Sequence, residues 1–268
     1  MAYTTKTIGV VRFSVLTTTY YTEQFDSVDA IAEHLFSPAR MALRFDLFEK
    51  LCLPSLARQT DQDFECVVIT SSQMPAAYLG RLADLLEPLP NFHCLPVDVG
   101  AHYGLLRTAY DLVPVGGCSH RILFRLDDDD AVDLEFVARN TRIAAAMLDL
   151  QGPKDPTIIA CNKGFYVRWQ DGENEVFDAR ERAPLSTGAA LLAPADFRDN
   201  PYRFNHRAFP QHFNTYSSIS VPGFIRTIHG DNKSNPSQLG KTHTLPPERM
   251  RRQLRRHFGV SIDMLKGL

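Results

Sequence analysis

The sequence has few cysteines, no long apolar run and little net charge, and each of these features excludes a class of protein. None of its five cysteines forms a CxxC pair, which argues against a disulfide framework or a zinc site. No run approaches the roughly 20 apolar residues that span a bilayer. The N-terminal sequence MAYTTKTIGVVRFSVLTTTY lacks a signal-peptide core followed by a cleavage site. We therefore expect a cytoplasmic protein.

Charge and composition narrow the choice further. Lys and Arg together number 29 and Asp and Glu 31, so the net charge is −2 and the chain as a whole will not attract nucleic acid. With 44% hydrophobic and 22% charged residues, the chain is typical of a folded globular protein. Any site for a polyanion must be local.

Short β-rich runs alternate with helical-period stretches from residue 10 to about 150, which predicts an α/β fold with a mostly parallel central sheet flanked by helices. Pro96 interrupts the third strand, which we therefore expect either to be short or to lie at an edge. The predicted strands are 12–17, 64–70, 92–99 and 121–126.

A smaller antiparallel β element is expected in the C-terminal half, where TIIACNKGFYVRW and EVFDAR flank a DGEN turn. We interpret residues 1–245 as one domain. Its nucleotide-binding half spans about 10–150 and its acceptor half about 151–245. Residues 246–268 are interpreted as a basic C-terminal helix.

That helix carries Met250, Leu254 and Phe258 one turn apart. Two interpretations remain open. The helix packs on the domain or on a second subunit, or it offers its charge to anionic lipid at the inner face of the membrane, as a peripheral contact. Its arginines are Arg249, Arg251, Arg252, Arg255 and Arg256.

Four consecutive aspartates, Asp127 to Asp130, follow the last predicted strand of the parallel sheet. Ligand sites of α/β sheets gather at the carboxyl ends of strands, and adjacent carboxylates need a counter-charge. Oxygen ligands favour Mg²⁺ or Mn²⁺ completed by substrate phosphates. The alternative is that Asp130 or Asp133 only caps the following helix.

Several well-known motifs are missing. The sequence contains neither GxxxxGK[ST] nor GxGxxG, which argues against a P-loop NTPase or a dinucleotide enzyme. The absence of GxSxG and HExxH argues against a serine hydrolase or a zincin.

A predicted helix opens with Gly104-x-x-Arg107, and the strand after it ends in L-D-D-D-D. This order resembles the nucleotide-sugar glycosyltransferases of GT-A fold, whose D-x-D motif holds a divalent cation and the donor diphosphate. The segments RFDLFEKLCLPSLARQTDQDFECVVITSSQMP, FRLDDDDAVDLEFV and IHGDNKSN resemble a bacterial family of rhamnosyl transferases. The similarity covers most of residues 12–235. It implies a GT-A-like, Rossmann-like sheet, a nucleotide-sugar donor and a glycan or lipid-linked acceptor.

The resemblance also implies roles for individual residues. Thr17, Thr18 and Tyr20 would line the nucleobase and ribose pocket, and Arg107 would face the nucleotide. Asp127 would contact the ribose or the metal, while Asp129 and Asp130 would contact the cation. Because Asp128 fills the middle of the motif, the register is open, and a slip of one residue would exchange the roles and bring Asp128 to the nucleotide.

His229 would complete the metal shell, and Asn232 and Lys233 would suit the diphosphate. The alternative for this G-D-N segment is a surface turn. The base that deprotonates the acceptor is less defined, because the GT-A pattern expects a carboxylate 80 to 90 residues after the metal motif. The segment at that distance offers His206 and His212 instead, and Asp196 is the carboxylate alternative.

We therefore expect a glycosyltransferase dependent on Mn²⁺ or Mg²⁺ that moves a sugar such as rhamnose from a nucleoside diphosphate. Two alternatives stay open: a nucleotidyltransferase or phosphoesterase that uses the same aspartates, and a nucleotide-sugar-binding module without activity. The stereochemical outcome is also open.

Overall fold

Two β-sheets and nine α-helices make up the part of the chain that the computed structural model describes, residues 3–231 and 240–268. The strands are β1 (Thr5–Arg12), β2 (Glu65–Ser71), β3 (Phe92–Val97), β4 (His120–Asp127), β5 (Asp130–Val132), β6 (Thr157–Cys161), β7 (Lys163–Arg168), β8 (Glu175–Arg180), β9 (Ala190–Pro194), β10 (Asn214–Ser218), β11 (Phe224–Ile228) and β12 (Lys241–Thr242). The helices are α1 (Val28–Leu35), α2 (Pro38–Leu47), α3 (Leu53–Ala57), α4 (Ala76–Leu86), α5 (His102–Asp111), α6 (Phe136–Gln151), α7 (Phe209–His212), α8 (Pro247–Phe258) and α9 (Ile262–Lys266).

The first sheet has the strand order β10-β6-β9-β4-β1-β2-β3. Strands β1 to β4 pair in parallel, and only β9 runs antiparallel to its neighbours β4 and β6. Helix α5 packs on one face, while α2, α3, α4 and α6 pack on the other. The predicted fold class is thereby confirmed, and β3 with Pro96 lies at an edge as expected.

The first strand differs from the prediction. It spans Thr5–Arg12, whereas the sequence predicted a strand over 12–17. The chain turns just after Arg12 because Ser14 adopts a left-handed backbone with φ of 48°, which ends an extended strand. Residues 13–17 therefore form a loop at the carboxyl end of β1.

The second sheet has the order β12-β8-β7-β11-β5 and contains the expected antiparallel hairpin of β7 and β8. The four aspartates connect the two sheets: Asp127 ends β4, Asp128 and Asp129 form the turn, and Asp130 begins β5. The helices before β2 hold this junction, since Val132 N donates to Ser55 Oγ at 3.3 Å.

A π-helical turn, Phe48–Cys52, joins α2 to α3 without interrupting the helical path. Such turns shift the phase of a helix and are frequent at functional sites. Here Arg44 before the turn and Ser55 after it both reach the aspartate junction.

The basic helix α8 packs on the domain. Its apolar residues Met250, Leu254 and Phe258 share a core with Phe165 and Ile225 of the second sheet. Its five arginines are exposed. In residues 3–231 and 240–268, no helix is both long enough and apolar enough to cross a bilayer.

Candidate active site

A cleft with a cavity volume of about 80 Å³ lies at the carboxyl ends of β1 and β4. The register of these parallel strands places Arg12 opposite Asp127, and Arg12 Nε donates to Asp127 Oδ1 at 2.9 Å. We call this site the carboxyl-edge cleft. Its charged lining consists of Arg12, Arg40, Arg44, Arg226, Asp127 to Asp130 and Asp231.

Arginines supply much of the counter-charge that the aspartates require. Arg44 Nη1 donates to Asp129 Oδ2 at 2.6 Å and lies 3.4 Å from Asp128 Oδ1. Asp130 accepts from Thr187 Oγ1 at 2.6 Å. Asp128 Oδ2 and Asp130 Oδ1 are buried and have no hydrogen-bond partner within the described residues. Each of these two oxygens can therefore still accept a bond from a ligand.

The four carboxyl groups differ in pKa. Burial opposes ionisation of Asp129, but Arg44 and the hydrogen bond from His229 outweigh it and lower its pKa. Burial also opposes ionisation of Asp127, but Arg12 and Arg125 together outweigh it and lower its pKa. Burial raises the pKa of Asp128 to about 7 and that of Asp130 well above its usual range, with the neighbouring carboxylates adding to both effects. The junction therefore contains two carboxylates stabilised in the charged form beside two that are not.

His229 reaches the junction because β11 runs antiparallel to β5. Arg226 pairs with Asp130 in register, so the chain beyond Ile228 passes alongside Asp129. Nε2 of His229 lies 3.1 Å from Asp129 Oδ2, and Nδ1 accepts from the backbone N–H of Asp231 at 3.3 Å. Because the backbone N–H donates to Nδ1, the ring proton is on Nε2, which donates to Asp129; as a metal ligand, Nε2 would have to give up that proton.

The fit of this site to a divalent cation rests on that pair. Within residues 3–231 and 240–268, no group of three or more His, Cys, Asp or Glu side chains is arranged to hold a metal. Asp129 and His229 offer two metal-ligating side chains. The buried oxygens of Asp128 and Asp130 that have no hydrogen-bond partner among the described residues lie nearby, in the same segment. Mg²⁺ and Mn²⁺ commonly take few protein ligands and complete their shell with phosphate and water.

Aromatic rings form another part of the cleft wall. Tyr20 stacks on His102 with ring centroids 5.2 Å apart and planes at 18°. Arg12 lies 5.7 Å from the Tyr20 ring and 5.2 Å from the Tyr202 ring. Burial, followed by the charge of Arg12, lowers the pKa of His102 to about 3, so its imidazole is neutral at pH 7.

The other residues predicted for the nucleotide have different positions. Thr17 is buried and accepts from Tyr20 N at 3.0 Å, and Thr18 N donates to Gly100 O at 3.0 Å, so both shape the turn that carries Tyr20. Arg107 does not line the cleft. It is exposed on α5, where it pairs with Asp111 at 3.6 Å, because its helical phase points to solvent. Asn232 and Lys233 lie outside the described residues.

The three candidate bases are widely separated. Asp196 follows β9, whose Pro194 pairs with His120 at the amino end of β4. The eight residues of β4 rise roughly 3.3 Å each, so Asp196 lies at the opposite edge of the sheet from Asp127. The structure thus contradicts Asp196 as a base.

The two histidines also differ. His212 is exposed, and its ring stacks on Phe204 at 3.7 Å. His206 is half-buried and interacts electrostatically with Arg125, Arg226 and Asp127, and burial together with these arginines lowers its pKa to about 4. Of the three candidates, His206 is the one whose pKa is influenced by the aspartate junction within the described residues, through the charge of Asp127.

Four arginines, His102 and Asp231 line the cleft but were not singled out from the sequence. Arg40 and Arg44 are spaced one helical turn apart, beside the buried residues Met41 and Phe45. Their position among the core residues of an amphipathic helix is the sequence feature that could have identified them as site residues, because buried arginines require anionic partners.

Comparisons with known proteins give one sequence match. The sequence model of the family described as "Putative rhamnosyl transferase" matches residues 6–241, most of the chain. No curated protein matches significantly.

Solved structures with similar folds share little sequence. The Staphylococcus aureus TarS 1–349 complex with UDP is 13% identical over 83% of this chain and 60% of that chain, with a TM-score of 0.44. A "putative nucleotide-diphospho-sugar transferase" from Desulfovibrio desulfuricans is 11% identical over 84% and 81%, with a TM-score of 0.36. This chain thus spans about three fifths of the TarS fragment.

Proposed function

Because the chain belongs to the family described as "Putative rhamnosyl transferase", we propose that it transfers a sugar, with rhamnose as the first candidate, from a nucleoside diphosphate to a hydroxyl of a glycan or lipid-linked acceptor. The observation that carries this proposal is the carboxyl-edge cleft, which combines Asp127 to Asp130, His229 and four arginines. Such a charge distribution suits a diphosphate leaving group, whose negative charge grows as the glycosidic bond breaks.

On this proposal, Asp129 and His229 would hold Mn²⁺ or Mg²⁺, which would supply positive charge to stabilise the departing diphosphate. Asp128 and Asp130 support the choice, since each keeps one buried oxygen without a partner among the described residues. Asp127 has a separate role: its ion pair with Arg12 fixes the carboxyl end of β4 against β1.

The nucleoside is proposed to bind against the Tyr20 and His102 wall. Two stacked rings with a neutral imidazole offer a flat face to a nucleobase. Arg12, placed between Tyr20 and Tyr202, holds both the wall and Asp127 in position.

His206 is the proposed base for the acceptor hydroxyl. Its lowered pKa of about 4 keeps the imidazole neutral at working pH, which leaves a ring nitrogen able to accept a proton. His206 lies in the half of the chain that follows the aspartate junction, where the acceptor is expected.

We further propose that the protein works in the cytoplasm, in peripheral contact with the membrane. The support is the outer face of α8, whose arginines are exposed while its apolar residues are buried in the domain. Contact of this kind is electrostatic and does not insert apolar residues.

Product analysis tests the proposed function. The purified protein is incubated with a panel of nucleotide sugars, including nucleoside-diphosphate rhamnose, with Mn²⁺ or with EDTA. We expect metal-dependent release of a nucleoside diphosphate. Release of pyrophosphate or of a nucleoside monophosphate would instead indicate a nucleotidyltransferase or a phosphoesterase, and binding without turnover would indicate an inactive module.

A further inference from the structure

Arg40 and Arg44 form a pair of buried guanidinium groups on one face of α2, at the carboxyl-edge cleft. Arg40 is 7% exposed and Arg44 8%. Arg40 Nη1 donates to Ser14 Oγ and to Leu35 O, each at 2.9 Å. Arg44 Nη1 donates to Asp129 Oδ2. These bonds fix the orientation of both planes and leave the Nε side of each guanidinium for another partner.

Asp231 occupies that side. Its Oδ2 lies 2.8 Å from Arg40 Nε and 3.3 Å from Arg44 Nε, and its Oδ1 lies 3.2 Å from His34 Nε2. The distances to the arginines are those of ion pairs, but neither N–H group is directed at the oxygen. Within the described residues, Arg40 Nε, Arg44 Nε and Asp231 Oδ2 are all buried without a hydrogen bond.

A carboxylate is therefore a poor geometric partner for this pair of arginines. It offers one oxygen to two donors that approach from different directions. A phosphate group offers three oxygens in a tetrahedral arrangement, so that each Nε–H can find its own acceptor, and guanidinium groups are well suited to phosphate. Unsatisfied donors at a buried position are costly, which favours exchange of the carboxylate for a phosphate.

We propose that Arg40 and Arg44 bind a phosphate group of the donor diphosphate, and that Asp231 holds the same two guanidinium groups until the donor displaces it. The identification of the anion as a nucleoside diphosphate rests on the proposed function. In this exchange a donor phosphate takes the place of the Asp231 carboxylate beside Arg40 and Arg44. The charge of that phosphate is therefore compensated by the two arginines, and only the second phosphate of the donor adds uncompensated charge to the cleft.

The test uses inorganic pyrophosphate as the probe, with EDTA present, and isothermal titration calorimetry on the full chain. Asp231→Asn removes the competing charge, and we expect it to tighten pyrophosphate binding about tenfold, because hydrogen bonds to charged groups are strong enough to compete at this level. Asp84→Asn is the matched control. It removes one exposed carboxylate from α4 and should leave the affinity unchanged.

Arg40→Gln combined with Asp231→Asn should abolish the gain, since the phosphate then loses one of its two cations. Asp231→Ser provides a second variant if the asparagine variant does not fold. Unchanged or weaker pyrophosphate binding in a folded Asp231 variant would overturn the proposal, as would an equal gain in Asp84→Asn.

The result separates this inference from the proposed function. Turnover of a sugar donor without tighter pyrophosphate binding in the Asp231 variants would refute the inference alone. Tighter binding without turnover of any donor in the panel would refute the proposed function and leave the phosphate site standing.

Discussion

The carboxyl-edge cleft and the helix α8 are both rich in arginine, and they use this side chain in different ways. In the cleft, Arg12 and Arg44 are paired with aspartates at 2.9 and 2.6 Å. On α8 the arginines are exposed, and the only ion pair found there within the described residues joins Arg251 to Glu248. Buried pairs fix geometry and are costly to break, whereas exposed charges act through a screened field.

The comparison teaches that a high density of like charge in the sequence is a weak guide to the active site. The run of basic residues at 249–256 is the densest in the chain, yet it lies on the outer face of a helix. The arginines of the cleft come from three separate elements, β1, α2 and β11, and meet only in the folded chain.

The largest effect is expected at the pair formed by Asp129 and His229. Each alanine variant should reduce donor turnover about 10³-fold, because each removes a group that stabilises the leaving diphosphate. The double variant should lose little more than either single one. Turnover is measured in Mn²⁺ with folding checked by circular dichroism. Losses that multiply would show that the two residues act independently.

A second prediction compares Asp129 with Asp128 in unfolding experiments without metal. Because Arg44 and His229 lower the pKa of Asp129, its charged form stabilises the fold above the unfolded pKa, and this stability is lost as the pH falls below about 4. Asp129→Asn should therefore lower the free energy of unfolding at pH 7 by about 3 kcal/mol. Repulsion among the four carboxylates alone would instead make the variant more stable than the wild type.

Asp128 should respond in the opposite direction. Burial raises its pKa to about 7, so ionisation costs stability as the pH rises from about 4 through 7. Asp128→Asn should be more stable than the wild type at pH 8 by about 4 kcal/mol, since one pKa unit corresponds to about 1.4 kcal/mol, and equal to it near pH 4. Urea denaturation at the three pH values measures both variants. Equal changes in the free energy of unfolding for the two variants would show that folding shifts the pKa values of Asp128 and Asp129 in the same direction.

A third prediction separates the two histidines. His206→Asn should lower kcat about 10²-fold with little change in KM, as expected for loss of a general base, while the exposed His212→Asn should have no effect. In the wild type, kcat should fall as the pH drops through about 4, where His206 takes up a proton. An acid limb that persists unchanged in His206→Asn would exclude this residue as the base.

The smallest effect on donor turnover is expected for substitutions on α8. Arg252→Glu combined with Arg256→Glu should abolish flotation with phosphatidylserine vesicles, because each basic residue near an anionic surface contributes about 1 kcal/mol. Donor turnover in solution should not change. Arg81→Glu with Arg107→Glu, on α4 and α5, is the charge-matched control. Equal flotation of the two double variants would contradict the proposed membrane contact of α8.

Much of the fold was predictable from the sequence, because strands β2, β3 and β4 are apolar runs with clear ends. The first strand was placed seven residues too late, since the run from Thr7 to Thr19 is β-rich throughout. Only the left-handed backbone at Ser14 marks the end of β1, and nothing in the local pattern predicts it.

The candidate site was predictable where it is local and not where it is long-range. Asp127 to Asp130 stand out as a run, and His229 was recognised by its resemblance to a known motif. Arg12 and Arg44 are ordinary in sequence, and their roles follow from strand register and from the phase of α2 across the π-helical turn. The carboxylate Asp196 was misplaced, because the sequence does not reveal that β9 runs antiparallel.

The packing of α8 has a consequence for how the molecule matures. Leu254 and Phe258 share a core with Leu51 of the π-helical turn and with Ala131, the residue after the four aspartates. The support of the aspartate junction thus depends on contacts between residues that are about 120 to 200 positions apart in the sequence. Contacts between residues so distant in sequence form slowly. During translation, the aspartate junction lacks this support until α8 and α9 have left the ribosome. A nascent chain that is otherwise folded will therefore acquire its anion-binding geometry only after these two helices have been synthesised.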